Sequence, residues 1–402
     1  MIKREMYMSR IREFINTDLV KILTGIRRCG KSVMLELIKE ELVMRGISPA
    51  NFIHINFENL ENIELYDYLK LHEYILDKIK SIKGKAYLFL DEIQEVEAWQ
   101  KCVNSLRVNS DTDIYVTGSN AKLLSGEFAT FLAGRYVEFV IYPFSFSEFM
   151  DIYGSVAGEV SVKDVFKQYV KLGGMPFLAN LKFEANSCKQ YLQDIYNSVV
   201  LKDVIQKNNI RDVDLLQRVI AYMTANIGRA FSANSISKYL KSENRNITGE
   251  TVINYIKACE EAFLIYCVKR QDIAGKKILA INAKYYIADH GLREAVYGGN
   301  SRDIEIVLEN IVYLELLRRG KNVTVGKADN DKEIDFIAEG SGEKAYYQVC
   351  YILADESTKK REFGAFDKID DNFPKVVLSM DEFDMSERGY KHMNICDFLL
   401  GI

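Results

Sequence analysis

The sequence has few of the features that disulfide-bonded or zinc-binding proteins need. It contains seven cysteines, an odd number, and no two of them form a Cys-x-x-Cys pair. Its four histidines show no spacing typical of metal ligands. Scattered thiols of this kind are typical of a reducing compartment, and they argue against a disulfide framework or a zinc site.

Long apolar runs are also absent. No stretch of about eighteen apolar residues occurs, as a membrane-spanning helix would need. The first residues, Met-Ile-Lys-Arg-Glu, carry mixed charge and lack the apolar region of a signal peptide. No repeat or low-complexity linker is visible. We therefore expect a cytoplasmic protein with no membrane partner, and the length of 402 residues predicts several domains.

What the sequence does contain is a phosphate-binding loop pattern. Residues 25–32 read Gly-Ile-Arg-Arg-Cys-Gly-Lys-Ser and fit G-x-x-x-x-G-K-[ST] without a mismatch. The apolar run Leu19–Leu23 precedes the loop and predicts a buried strand, and a helical pattern follows it. In this context the glycines and the helix N-terminus direct backbone N–H groups at phosphate oxygens.

The loop predicts a nucleotide site with Mg²⁺. The Lys31 ammonium would reach the β- and γ-phosphates, and the Ser32 hydroxyl would bind the metal. The residues predicted to hold the nucleotide are Gly25, Arg28, Cys29, Gly30, Lys31, Ser32 and Val33. We expect ATP and Mg²⁺ as cofactors, ATP hydrolysis as the activity, and a block of nucleotide binding when a reachable Cys29 thiol is alkylated.

A pair of acids follows a second predicted strand. Asp91 and Glu92 come directly after the apolar run Tyr87–Leu90. Such a pair can simply begin a helix, because acids favour the first helical turn. With the phosphate loop upstream, we predict that Asp91 helps to hold Mg²⁺ and that Glu92 polarises the attacking water.

Two later positions are further candidates. Asn120, with Ser119 as its rival, follows the strand Asp113–Thr117 and is predicted to touch the γ-phosphate or to orient the water. Gly-Ser-Asn is also good turn chemistry. Arg135 precedes the strand Val137–Ile141 and is predicted to act as an arginine finger, in its own subunit or in a neighbour. A surface salt bridge is the alternative role for Arg135.

The order of predicted elements indicates an α/β fold. Strands alternate with helices up to about residue 149, which predicts a parallel sheet with helices on both faces. We assign 1–155 to this ATPase domain, 156–205 to a helical lid or linker, and 206–295 to a winged helix-turn-helix. Three helices followed by a hairpin are the layout of that motif. Residues 296–402 form a further α/β pattern.

The middle of the chain is basic. Residues 206–285 contain thirteen Lys and Arg against seven Asp and Glu, a surplus of +6 within a chain of net charge −4. This surplus predicts DNA as a partner, held mainly through backbone contacts. The alternative is an uneven, solvated surface. The basic residues considered for this surface are Lys238, Lys241, Arg245, Lys276 and Lys277.

Taken together, these motifs resemble a prokaryotic group of AAA-type ATPases with a C-terminal domain of unknown function. The resemblance is carried by residues 25–32, Tyr-Leu-Phe-Leu-Asp-Glu-Ile-Gln at 87–94, Thr-Gly-Ser-Asn at 117–120, Leu-Ala-Gly-Arg at 132–135 and Tyr-Pro-Phe-Ser-Phe-Ser-Glu-Phe at 142–149. It implies an AAA-type P-loop ATPase, the site roles given above, and a homo-oligomer. It also implies a winged helix followed by a restriction-endonuclease-like domain.

The resemblance further implies an acidic site in the last domain. Nucleases of that fold use acids and a Glu-x-Lys to bind metal and activate water. Glu309 and Asp335 would be the first acids, but the matching strand reads Gln348-Val349-Cys350. An amide is a poor Mg²⁺ ligand, and a thiol cannot replace a cation. We predict a domain without nuclease activity unless Lys344 supplies the missing charge.

Three functions follow from these observations. The leading hypothesis is an ATP-hydrolysing switch or motor that engages DNA through 206–285. A second is an ATP-controlled assembly factor that binds a protein and no DNA. A third is an ATP-regulated nuclease.

Overall fold

The computed structural model describes residues 2–124, 132–273, 278–298, 303–327, 333–340, 342–353 and 355–402. The chain forms two compact units. The first ends at Ile141 and the second begins at Tyr142, except that 261–263 group with the first. Across these described ranges, no helix combines the length and the apolar character needed to cross a membrane.

The first unit is built on a parallel sheet of five strands. They are β1 (Val20–Thr24), β2 (Phe52–Asn56), β3 (Ala86–Asp91), β4 (Thr112–Gly118) and β5 (Tyr136–Val140). Their order is β2-β3-β4-β1-β5. Every residue of β1 and β3 is buried, as in parallel sheets covered on both faces. The predicted α/β fold class is confirmed.

Four helices accompany this sheet: α1 (Glu5–Arg12), α2 (Lys31–Met44), α3 (Tyr68–Ile79) and α4 (Trp99–Asn109). The chain crosses the sheet in one direction from β1 to β2 and in the other from β2 to β4. Because such crossovers are right-handed, α2 covers one face while α3 and α4 cover the other. Ile22, Leu88 and Val116 of the strands pack in one core with Trp99 and Leu106 of α4.

The sequence from about Leu60 to Ile82 predicts a single helical stretch, but the structure divides it into two elements, a 3₁₀ turn at Leu60–Tyr66 and then α3. Asp67 separates them with extended backbone angles, and its carboxylate accepts the N–H groups of Leu69 and Lys70. An aspartate in that position begins a new helix and does not continue the previous one.

The second unit begins with helices and contains a larger sheet. The helices are α5 (Phe146–Ala157), α6 (Val162–Leu172), α7 (Ala185–Ser198), α8 (Val213–Ala225), α9 (Ala233–Ser242), α10 (Gly249–Glu261), α11 (His290–Tyr297), α12 (Ile304–Arg318), α13 (Glu356–Gly364) and α14 (Ile395–Leu400). A π-helical stretch, Val199–Gln206, follows α7. The strands are β6 (Ala230–Phe231), β7 (Ile265–Asp272), β8 (Ile278–Ile287), β9 (Asn322–Lys327), β10 (Glu333–Gly340), β11 (Glu343–Val349), β12 (Lys375–Ser379) and β13 (Lys391–Asn394).

The strand order in this sheet is β13-β12-β11-β10-β9-β7-β8-β6. The predicted hairpin is present, because β7 and β8 pair antiparallel with Ile265 opposite Ile287. However, β7 also pairs in parallel with β9, with Arg270 opposite Val325. Strands on either side of the predicted boundary at residue 295 therefore share one sheet, so the division into four domains remains a prediction.

Candidate functional site

The loop between β1 and α2 has the backbone shape that its glycines predict. Gly25 has a φ of 137° and Gly30 a φ of 103°. A Cβ atom on Gly25 would lie 2.2 Å from the carbonyl oxygen of Ile141, so a larger residue does not fit there. Arg28 is exposed and also has a left-handed φ of 69°. The glycines thus allow the loop to curl tightly against the end of β5.

Lys31 is buried against this loop. It is 4% exposed, and its Nζ donates to the carbonyl oxygens of Gly25 at 3.2 Å and Ile26 at 3.4 Å. The same Nζ lies 3.4 Å from Oε1 of Glu92. Burial alone would lower the pKa of Lys31, but the Glu92 carboxylate and its neighbours hold that pKa above its ordinary value. The ammonium therefore stays charged where phosphate oxygens are expected.

Ser32 and Asp91, the two predicted metal ligands, lie near each other. The Ser32 hydroxyl is close enough to the Asp91 carboxylate to lower the pKa of that carboxylate. Asp91 also accepts hydrogen bonds from the Thr117 hydroxyl at 2.5 Å and from Nδ2 of Asn56 at 3.2 Å. Burial raises the pKa of Asp91, and the Thr117 and Ser32 hydroxyls oppose that rise. Oxygen ligands of this kind are those that Mg²⁺ prefers.

Glu92 is held in a strained position. Its φ of 55° is left-handed, a conformation that costs a non-glycine residue roughly 1–2 kcal/mol. Its N–H donates to Oγ1 of Thr117 at 2.8 Å, and Nε2 of Gln94 donates to its Oε2 at 2.5 Å. Gln94 and Lys31 therefore hold one carboxylate oxygen each. Backbone strain at a polar residue is common where a side chain must be aimed at a reaction.

Ser119 and Asn120 follow β4, the strand between β3 and β1. They therefore lie at the same carboxyl edge of the sheet as the loop and Asp91. Both are buried, and Oγ of Ser119 has no hydrogen-bond partner among the residues the structure describes. A buried unsatisfied hydroxyl calls for an explanation such as an unbound ligand. This unsatisfied hydroxyl supports Ser119, the rival candidate. The role of Asn120 therefore stays a prediction.

Arg135 is not brought to this edge. It directly precedes β5, and its carbonyl oxygen accepts the N–H of Val20, the first residue of β1. The phosphate loop follows the other end of β1. Five residues at about 3.3 Å each separate the two ends by roughly 16 Å. Arg135 is exposed and lies too far away to contact a phosphate on its own loop. A finger role would therefore need a neighbouring subunit, and a surface salt bridge stays the alternative.

Cys29 differs from what the sequence led us to expect. Its thiol is 0% exposed and packs on the inner side of the loop, next to Gly25. Burial raises the pKa of Cys29, although the charges of Lys31 and Arg4 oppose that rise. The condition for a block by alkylation, a thiol that a reagent can reach, is not met in this structure, because the tight curl of the loop covers the thiol. Only the backbone of Cys29 is available to a nucleotide.

Sequence reasoning missed several residues of the site. Thr117 joins Asp91 to Glu92, and Asn56 supports Asp91 from the end of β2. Both are polar residues at the carboxyl ends of apolar strands, a signal that could have found them. Gln94 entered the sequence analysis only as the last residue of the motif at 87–94. Arg4, whose Nη1 donates to the carbonyl oxygen of Cys29 at 3.1 Å, gave no signal.

The acids predicted in the rear half surround a lysine. Nζ of Lys284, on β8, lies 2.6 Å from Glu333 and 3.5 Å from both Glu309 and Asp335. Lys344, the predicted substitute, instead pairs with Glu339 at 3.1 Å. The sequence did not indicate Lys284, because it belongs to the hairpin and not to the strands that carry the acids.

Gln348 is part of the same cluster and acts as a hydrogen-bonding residue. Its Oε1 accepts the N–H of Asp335 at 2.7 Å, and its Nε2 donates to Glu362 at 3.0 Å. Within the described ranges, no group of three or more His, Cys, Asp or Glu residues has an arrangement suited to a metal ion.

Part of the positive charge in the middle segment is paired with acids. Arg245 pairs with Asp214 at 3.0 Å and Arg218 pairs with the same aspartate at 3.1 Å. Lys284 is buried in the acidic cluster just described. Lys238 and Lys241 are exposed on α9, whereas Lys276 and Lys277 lie outside the residues that the structure describes. Of the basic residues considered for a DNA surface, the described ones are therefore Lys238 and Lys241, which are exposed, and Arg245, which is paired.

The comparison with known proteins supports an AAA-type domain in the first unit. Residues 17–150 match a family described as an AAA domain, and residues 163–303 match a domain of unknown function (DUF8612). An uncharacterized protein of Haemophilus influenzae is 39% identical over 401 residues, which cover 100% of this chain and 99% of that protein. An uncharacterized protein of Methanocaldococcus jannaschii is 30% identical over 395 residues, which cover 94% of this chain and 85% of that protein. A solved structure of the ORC2 protein of Aeropyrum pernix is 11% identical, with a TM-score of 0.42. The match covers 78% of this chain and 93% of the ORC2 chain.

Proposed function

The chain belongs to a family of uncharacterized proteins that match it over most of their length, and from its AAA domain we propose that it binds and hydrolyses ATP. The observation that carries this proposal is the convergence of four side chains at one edge of the parallel sheet. Lys31, Ser32, Asp91 and Glu92 come from two separate segments of sequence and meet there. These are the groups that phosphoryl transfer from ATP requires.

Each residue has a distinct role in the proposed reaction. Backbone N–H groups of 25–33 hold the phosphates, and Lys31 contacts the terminal ones. Ser32 and Asp91 would hold Mg²⁺, which would neutralise the charge that develops on the phosphates. Glu92 accepts a proton from the attacking water. Asn120 or Ser119 orients that water.

The pairing of Lys31 with Glu92 gives the site two states. Without nucleotide, Lys31 and Gln94 hold the Glu92 carboxylate. A triphosphate competes for the Lys31 ammonium, because phosphate oxygens carry more charge than one carboxylate. Glu92 is then released to activate water only when nucleotide is bound.

The position of Arg135 supports an oligomer in which one subunit completes the site of the next. Its edge of the sheet and the edge with the phosphate loop are opposite ends of the same strands. A contact between opposite ends of two copies is head-to-tail, the type of interface that builds rings or filaments. In this arrangement Arg135 of one copy supplies positive charge to the phosphates bound by its neighbour.

Calorimetry of the purified chain with MgATP tests the core of the proposal. Wild-type protein should bind MgATP, Lys31→Ala should not, and Lys39→Ala on the same helix serves as the control. Lys39 lies about two turns further along α2, where it pairs with Glu36 and contacts His54. Absence of MgATP binding by folded wild-type protein would overturn the proposal.

Mixing two inactive variants tests the role of Arg135. Glu92→Gln and Arg135→Ala should each lose hydrolysis alone. Mixed in equal amounts, they should regain part of it, because some interfaces then join an intact Arg135 to an intact Glu92. Full activity of Arg135→Ala by itself would contradict a finger role.

We further propose DNA as the partner of the middle segment. The order α8-β6-α9-α10-β7-β8 is that of a winged helix, which supports this proposal. Lys238 and Lys241 provide exposed charge on α9. Replacing both by Glu should weaken the binding of fluorescent duplex DNA and reduce its salt dependence. Lys360→Glu with Lys368→Glu, exposed lysines outside the segment, is the matched control.

One observation favours a protein partner instead. The exposed side of α10, the helix that would enter a DNA groove, carries Ile253 at 55% exposure, and Tyr239 on α9 is 45% exposed. Large exposed apolar side chains are more typical of protein contacts than of DNA contacts. DNA binding that is weak and unaffected by the Lys238 and Lys241 changes would favour this second function.

The rear acidic cluster is not included in the proposed activity. Lys284 places its ammonium among Glu309, Glu333 and Asp335, where a nuclease of the related fold would need room for a metal ion. This arrangement supports the prediction of a domain without nuclease activity. Divalent-dependent DNA cleavage that is lost in Asp335→Ala would restore the nuclease hypothesis.

A further inference from the structure

Arg4 lies near the start of the chain, yet it is 3% exposed and reaches the phosphate loop. Its Nη1 donates to the carbonyl oxygen of Cys29 at 3.1 Å. We propose that Arg4 is a positioning residue of the nucleotide site, which strengthens phosphate binding through the peptide group between Cys29 and Gly30. This inference rests on the proposed ATP site and adds a residue that no motif of the loop contains.

The peptide group between Cys29 and Gly30 connects Arg4 to the phosphate site. The Cys29 carbonyl accepts the hydrogen bond from Arg4, and the N–H at the other end of that peptide belongs to Gly30, the residue that begins α2. Amides at a helix N-terminus are those that point at bound anions. A hydrogen bond to the carbonyl oxygen polarises the peptide and strengthens its N–H as a donor, by roughly 10–30% per bond.

The charge of Arg4 acts in the same direction. A guanidinium is protonated at every pH that a protein meets. In a buried setting its field is weakly screened, so it attracts an anion bound on the other side of the loop. The thiol of Cys29 reports this field, because the Arg4 charge favours its ionised form, as the charge of Lys31 does.

The backbone at Arg4 is shaped to deliver this contact. Arg4 has a left-handed φ of 46°, and its carbonyl oxygen accepts the N–H groups of Tyr7 and Met8 at the start of α1. The guanidinium lies 4.6 Å from the centre of the Tyr7 ring. A strained turn therefore directs the side chain inward as the helix begins, and strain of this kind is often retained where it serves a site.

Attachment of α1 to the rest of the unit does not depend on Arg4 alone. Arg12, at the other end of the helix, pairs with Glu41 of α2 at 3.1 Å. It also pairs with Glu5 in α1 itself. Arg12 is thus an arginine on the same element that anchors the helix without touching the loop. This makes it a matched control that separates anchoring from phosphate binding.

The experiment compares Arg4→Met, Arg4→Lys and Arg12→Met in steady-state ATPase assays, with MgADP affinity by calorimetry and the melting temperature without nucleotide. For Arg4→Met we expect the KM for ATP and the Kd for MgADP to rise about tenfold, as for loss of a charge-assisted hydrogen bond, with kcat within twofold of wild type. Arg4→Lys should recover part of this loss because it keeps the charge. Arg12→Met should lower the melting temperature and leave both constants unchanged.

A purely anchoring role for Arg4 would overturn the inference. In that case Arg4→Met and Arg12→Met would behave alike, with lower melting temperatures and unchanged KM and Kd. If Arg4→Met does not fold, Arg4→Lys decides the matter, since unchanged MgADP affinity in that variant together with a lowered melting temperature would also count against the proposal. Failure of the proposed function would look different, because wild-type protein itself would then bind no MgADP.

Discussion

Nζ of Lys31 lies 3.4 Å from Oε1 of Glu92, so the residue expected to bind phosphate is paired with the residue expected to activate water. The pair is enclosed, because both residues are buried. A charge-assisted contact in such surroundings holds both side chains until a stronger partner arrives. Each of these two side chains therefore fixes the position of the other in this structure.

Glu92→Gln should separate binding from hydrolysis. The amide keeps one acceptor oxygen, which can still accept a hydrogen bond from Lys31, but it cannot take a proton from water. We expect MgATP affinity within a few-fold of wild type and a kcat reduced about 10²–10⁴-fold, the usual contribution of a general base. Phosphate release under single-turnover conditions measures this directly. Turnover equal to wild type would remove Glu92 from the catalytic role.

Gly25→Ala should damage the loop far more than an equivalent change elsewhere. A Cβ atom at this position meets the carbonyl oxygen of Ile141 at 2.2 Å. Gly46 also has a positive φ, of 86°, but a Cβ atom there meets nothing within 4 Å. We expect Gly46→Ala to cost about 1 kcal/mol of strain. Gly25→Ala should cost clearly more and abolish nucleotide binding, and equal melting temperatures for the two variants would contradict this.

Cys29 should resist alkylation in the folded protein. Its thiol is fully enclosed, and burial raises its pKa, so both access and the reactive thiolate are reduced. Mass spectrometry after brief maleimide treatment should find Cys29 unmodified in native protein and modified in urea. Rapid native labelling of Cys29, blocked by ATP, would mean that the loop opens on its own.

Stability should depend on pH through Glu309. Burial raises its pKa to about 8 from 4.5, and Asp335 adds to that rise while the Lys284 ammonium opposes it. Tyr286 and Glu333 complete the set of groups that face it. Because the folded protein binds the proton more tightly, this stabilisation is complete below about pH 4.5 and is lost as the pH rises through 8.

Glu309→Gln provides the comparison for that effect, since its side chain stays neutral at every pH. The free energy of unfolding of wild type should fall relative to this variant between pH 5 and pH 8.5, by on the order of a few kcal/mol. Urea unfolding at several pH values measures the difference. A difference that stays constant over this range would show that the carboxyl group does not titrate there.

Local patterns in the sequence were enough to predict the phosphate loop and the acid that follows β3. The loop from Gly25 to Ser32 is contiguous, and Asp91 directly follows an apolar strand. The parallel sheet then brings these segments together without further information. Arg4 and Lys284 could not be found in this way. Each reaches its partners from an element distant in sequence, and nothing in the neighbouring residues indicates that its charge is buried.

The fold shows the same division between local and distant pairing. The sequence predicts strands at Asn322–Lys327 and Lys375–Ser379, each a short run between polar turns, and the structure has strands with these bounds. The parallel pairing of β7 with β9 joins segments about 55 residues apart, and no local pattern encodes it. The sequence therefore predicts individual strands of the second unit but not the single sheet that they form.

That single sheet limits how the rear half can move. A β-hairpin that pairs with no other strand can move on its connecting segments. Here β7 is hydrogen-bonded to β8 on one side and to β9 on the other. Tilting the hairpin alone would break a row of main-chain hydrogen bonds, each costly to leave unmade. Any movement of the hairpin would consequently carry β7 and β8 together with the other six strands of the sheet.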